Sequence, residues 1–219
     1  MNRKEKAQQV HQELLTHFGQ PQWTRRPAMD ELILTVLSQN TNDNNRDVAY
    51  QAMRNKYPNW SQVREADQEV LIETIRFAGL ANQKGPRIQA ILDTVYEKEG
   101  DFTLEFLKNM EPEDAKQWLV SLKGVGPKTA SIVMLFSLDM PAFPVDTHVH
   151  RVSGRIGLRD DKITANKAHT ALARLYEPEQ YGAAHLLLIQ LGREICKARK
   201  PECGKCPVYV LCEYDEKTS

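Results

Sequence analysis

The chain has 219 residues, of which 41% are hydrophobic and 26% charged, with a mean hydropathy of −0.53. That is ordinary globular usage, at a length that buries roughly 70% of the unfolded surface. The longest apolar runs, such as Ile132–Phe136 and Leu186–Ile189, are far too short to cross a membrane, and the first residues, MNRKEKAQQV, lack the apolar stretch of a secretory signal. Lys and Arg number 29 and Asp and Glu also 29, so the net charge is 0. Only local charge can then argue for a polyanionic partner. No membrane partner and a cytoplasmic setting are expected.

Helical periodicity dominates. Arg3–Phe18 places Val10, Leu14, Leu15 and Phe18 on one stripe, and Gly19-Gln20-Pro21 stops it. Asp30 is expected to cap a second helix carrying Leu32, Ile33, Val36 and Leu37. The polar stretch Ser38–Asn45 follows, then helices over Arg46–Asn55 and Val70–Phe77. Pro86 is placed at the start of a helix reaching Glu97, and Thr103 is the expected cap of Leu104–Asn109. Pro112 and Pro127 suit the first turns of helices over Glu113–Leu122 and Lys128–Phe136. Further helices are expected over Asp146–Arg155, Thr164–Leu175 and Tyr181–Ile195. Period-two alternation never persists beyond a few residues, so the expected fold is all-α.

Between two of these helices lies Leu122-Lys123-Gly124-Val125-Gly126-Pro127-Lys128-Thr129-Ala130. Paired glycines permit positive φ and close backbone approach. The loop feeds a helix N-terminus, whose outward N–H groups suit an anion such as a nucleic-acid phosphate. An ordinary turn with a glycine cap fits the same residues. Lys128 stands at the positive end of the helix dipole, which disfavours its ammonium form. A neutral lysine is a nucleophile able to form a Schiff base. A solvated phosphate-binding lysine is the commoner role. Asp146 follows 18 residues later, after Phe143-Pro144-Val145. It can cap the next helix, and it can stabilise positive charge developing on a reacting sugar. His148 and His150, two apart, point in different directions on a helix and read as structural.

All four cysteines fall in the last 24 residues, as Cys196-x6-Cys203-x2-Cys206-x5-Cys212. A tight cluster of this kind suits a metal centre in a reducing compartment. The spacing accommodates either zinc or an iron–sulfur cluster. Arg193–Cys206 has five basic and two acidic residues, a local excess of +3. Such a loop could follow a phosphate backbone.

Together these segments resemble the endonuclease III family, helix–hairpin–helix DNA glycosylases with a C-terminal iron–sulfur loop. Leu122–Ala130 resembles the family hairpin, Val145–His148 the catalytic aspartate segment, and the cysteine spacing the cluster loop. The resemblance implies two helical lobes. One is a six-helix barrel over residues 29–139 with the hairpin near 113–136. The other is a discontinuous iron–sulfur domain of residues 1–28 and 140–219. DNA would lie in the cleft between the lobes. It implies a [4Fe-4S] cluster on Cys196, Cys203, Cys206 and Cys212, and catalysis by Lys128 with Asp146. It implies contact with double-stranded DNA carrying damaged bases or abasic sites, by a monomer. The contacts would be made by Lys123, Gly124, Val125, Gly126, Thr129 and Lys205, with Gln39, Asn40 and Leu80 at the gap left by the flipped base. Asn40 departs from the family's usual glutamine. It offers the same amide on a shorter arm.

Overall fold

The computed structural model describes residues 1–217; Thr218 and Ser219, the end of the 140–219 segment, lie outside the described residues. Among the described residues the regular structure is entirely helical, and no helix is long and apolar enough to cross a membrane. The chain divides into two compact units, Arg25–Met140 and a discontinuous one of Met1–Thr24 with Pro141–Ser219.

The Arg25–Met140 unit contains helices α2 (Ala28–Leu37), α3 (Asp43–Lys56), α4 (Trp60–Glu65), α5 (Gln68–Thr74), α6 (Ala81–Glu99), α7 (Pro112–Ser121) and α8 (Pro127–Ser137). Its core is built on α2, whose Leu32, Ile33, Val36 and Leu37 are all buried and which packs against α8. Asp30 does not cap this helix. Pro27 precedes its first turn, and Asp30 is the third residue of the helix, accepting a 2.5 Å hydrogen bond from the Tyr50 hydroxyl. The polar stretch turns helical earlier than expected, because Asn42 accepts from the Asn45 amide and caps α3. The short α4, fixed by a reciprocal Asn59–Gln62 capping box, has too few turns to declare a period.

The expected start of α6 at Pro86 is also corrected. The helix begins at Ala81, directly after Leu80. Pro86 removes one main-chain bond, to the Asn82 carbonyl, near the start of the helix and at an exposed residue. The segment expected as helix over Leu104–Asn109 is a 3-10 turn, Glu105–Asn109.

Lys84 on α6 is 1% exposed. Its ammonium donates 2.7 Å hydrogen bonds to the carbonyls of Leu37 and Ala78. One buried cation thus ties the end of α2 to the turn before Leu80. Burial lowers its pKa to about 8, the cost of placing this charge inside. Lys84→Met would leave both carbonyls unpaired, each at about 1–3 kcal/mol. Urea unfolding should show a loss of about 2–4 kcal/mol.

The discontinuous unit contains α1 (Arg3–Phe18), α9 (Thr147–Ile156), α10 (Ala165–Ala173) and α11 (Tyr181–Glu194). Asn2 and Glu5 form a capping box on α1, which buries Ala7, Val10 and Leu14 and packs against α11. Helices α9 and α11 pack together, and Gly192 permits their approach, since a Cβ there would lie 3.0 Å from that of His148. Lys6, almost fully buried, pairs with Glu213 at 2.6 Å and so links α1 to the C-terminal segment.

Candidate active site

The hairpin between α7 and α8 is shaped by its backbone. Gly124 has φ of +82°, and a Cβ there would sit 2.1 Å from both Cδ and Nε of Arg87. Gly126 meets nothing within 4 Å, so packing within the chain does not require a glycine there. No side chain caps α8, and Pro127 occupies its first turn. Lys123 and Gly124 are exposed, Gly126 and Lys128 half-buried, and Val125 and Thr129 buried. Gly124→Ala combines an unfavourable φ with a clash, so thermal unfolding should register a loss of about 1–3 kcal/mol.

Gln39 lies against this hairpin. Its Nε2 donates to the Gly124 carbonyl at 3.1 Å, and its Oε1 accepts from Arg87 Nη1 at 3.0 Å. The side chain is thus committed within the protein. Its neighbour Asn40 is exposed, with φ of +52°. Leu80 has φ of +50° and is 47% exposed. Two non-glycine residues in the left-handed region are unusual, and the bulky leucine especially so. Glu31, on the first turn of α2, has its carboxyl raised by burial, opposed by the charges of Arg26, Arg46 and Lys128. Sequence reading missed Glu31 and Arg87, since neither belongs to a local motif.

In the other unit, Asp146 caps α9 and accepts from the Val149 amide at 2.8 Å. The helix therefore orients this half-buried carboxylate. His148 Nδ1 accepts from Arg151 Nη2 at 3.1 Å, and His150 Nε2 meets the Ile163 carbonyl at 3.0 Å; both are structural contacts.

The far end of α9 holds the cysteine loop. Arg151 donates to the carbonyls of Gly192 and Cys196 at 2.8 and 3.1 Å. Arg155 donates to the carbonyls of Lys197 and Ala198 at 2.8 and 3.1 Å and approaches Cys196 Sγ at 3.5 Å. The Arg155 carbonyl in turn accepts from the Glu213 amide. Arg151 and Arg155 are four apart on one helix face, a pattern the sequence displays but that only the fold explains.

Cys196, Cys203, Cys206 and Cys212 are free, half-buried thiols that line a single cavity together with Arg155, Val208 and Tyr214. Burial pushes the Cys206 thiol up to about 11 and the Cys212 thiol in the same direction. Iron binding would displace those protons. Four soft sulfur donors around one cavity fit a cluster, which spreads its ligands over several irons. Lys205 is exposed and paired with Glu202 at 2.7 Å, and Lys197 pairs with the same carboxylate, so part of the loop's positive charge is already compensated.

An all-helical chain with a glycine hairpin and a four-thiol loop defines a class, and comparison with known proteins agrees. Residues 33–178 match the family profile of HhH-GPD superfamily base excision DNA repair proteins. Residues 196–212 match the iron–sulfur binding domain of endonuclease III. Endonuclease III of Thermotoga maritima is 34% identical over 183 residues, 84% of this chain and 81% of that one. A relative from Arabidopsis thaliana is 34% identical over 178 residues, and the chain spans 60% of its length. A solved structure of a trapped endonuclease III–DNA covalent intermediate superposes with a TM-score of 0.84 and 28% identity, covering 97% of each chain. The chain belongs to the endonuclease III family. As a member it is a base-excision-repair DNA glycosylase with lyase chemistry at abasic sites, acts on DNA and carries a [4Fe-4S] cluster.

Proposed function

We propose that the chain excises oxidised pyrimidines from duplex DNA, as a cytoplasmic monomer, with Lys128 as nucleophile and Asp146 as its electrostatic partner. The observation that carries this reading is Lys128 on the first turn of α8, immediately after a hairpin whose loop is shaped by main chain. That loop suits a phosphate held by backbone N–H groups, which binds without reading sequence. Lys123, Gly124, Val125, Gly126 and Thr129 surround that phosphate, and Lys205 adds charge from the cysteine loop. Asn40 and Leu80 fill the gap left when the target nucleotide is extruded, as it must be for its sugar to be reached.

The chemistry follows from a primary amine beside an extruded sugar. Lys128 Nζ attacks C1′, and the glycosidic bond breaks with its electron pair leaving on the base. Ring opening gives an iminium. Loss of a C2′ proton then expels the 3′ phosphate by β-elimination, and water releases the lysine. Asp146 stabilises positive charge at C1′ and handles the proton. Cys196, Cys203, Cys206 and Cys212 would hold the cluster, which supplies structural bracing to its loop.

A panel of duplexes, each with one lesion, incubated with and without borohydride, tests the reading. Oxidised pyrimidines should be excised and trapped fastest. Preference for thymine or uracil opposite guanine would replace the substrate assignment. Binding without cleavage on every lesion would contradict the enzyme reading.

A further inference from the structure

The early turns of α6 contain no group used by the chemistry above, yet they hold three loops of the Arg25–Met140 unit. Lys84 fastens the end of α2 to the turn before Leu80. One turn on, Arg87 binds Gln39, and Gln39 binds the Gly124 carbonyl. The Arg87 stem also lies over Gly124, where a Cβ would have no room. The hairpin loop is thereby joined to the Gln39–Asn40 turn and to α6, the helix that follows Leu80.

Arg87 is unusual in its electrostatics. Its guanidinium bonds to an amide oxygen, and its buried Nε has no hydrogen-bond partner. A cation with a neutral partner leaves positive charge beside the hairpin backbone. Asn40 and Leu80 both hold left-handed backbones, which persist only where surrounding contacts over-determine them.

We propose that Gln39 and Arg87 are positioning residues that set the hairpin loop relative to Asn40 and Leu80. A phosphate seated on the hairpin then fixes where those two side chains enter the duplex. This inference rests on the reading of hairpin and gap-filling residues given above. The amide of Gln39 is needed at both ends, because it accepts from Arg87 and donates to Gly124. A carboxylate keeps only the first bond.

The test compares borohydride-trapping rates on a duplex with one abasic site and on the same strand alone, which has no gap to fill. Gln39→Ala, Gln39→Glu and Arg87→Ala should each slow duplex trapping about tenfold more than single-strand trapping, since small misplacement is costly. Arg87→Lys keeps the charge, guards against misfolding and should show the same bias. The Gln39→Ala, Arg87→Ala double variant should be no slower than the slower single variant, because coupled residues are non-additive. Equal losses on both substrates, additive losses or unchanged duplex trapping would overturn the proposal. If the wild-type chain traps neither substrate, the lysine chemistry is what fails. The brace is then read from the ratio of duplex to single-strand binding in the same variants, with the same tenfold expectation.

Discussion

Lys128→Ala should abolish the borohydride-trapped adduct with abasic DNA and lower strand cleavage by at least about 10⁴-fold, the scale seen when a covalent nucleophile is removed. An imine requires a primary amine, and neither Asp146 nor any hydroxyl can form one. Binding to abasic duplex should change far less, because the hairpin backbone and the residues proposed to fill the gap remain. Lys128→Arg separates charge from nucleophilicity. It keeps a cation at the start of α8 but cannot form an imine, so it should fail to trap just as Lys128→Ala does. Trapping by either variant at the wild-type rate would remove Lys128 from the role.

Loss of the cluster should have the second largest effect. Residues 196–212 contain only two 3-10 turns. Val208 is buried, but Val210 is 91% exposed. A loop with so little apolar burial depends on its metal centre for order. Cys206→Ser should lower iron content, remove the visible absorption of the cluster and expose the bonds after Lys197 and Arg199 to trypsin. DNA affinity should fall about tenfold or more as the loop loses its shape. Arg151 and Arg155 attach this loop to α9, so amide exchange should also quicken in the last turns of that helix. A colourless wild-type protein containing zinc, or a Cys206→Ser variant with normal iron and protection, would contradict this expectation.

What the sequence disclosed was whatever lies close together along it. The hairpin occupies nine consecutive residues, Asp146 directly follows an apolar run and caps the helix it precedes, and the four thiols fall within seventeen positions. Each of these depends on local backbone geometry, so each was readable. Helix starts were less so. Asp30 has the chemistry of a cap but serves Tyr50, because Pro27 had already determined where α2 begins. Pro86 looked like a beginning because proline favours first turns, yet α6 tolerates it one turn in. The Gln39–Gly124 bond joins positions 85 apart, and Arg87 enters it from a third segment. No periodicity reports such a contact, since it is specified only once α2, α6 and α8 have packed.

Mapping the covalent adduct tests the central claim most directly. The wild-type chain is reduced on an abasic duplex, digested with trypsin and analysed by mass spectrometry. The sugar fragment should sit on Lys128, in a peptide that begins at Gly124 and runs uncleaved past the modified lysine. An adduct on Lys84, on Lys123 or on the terminal amine, with Lys128 unmodified, would contradict the account.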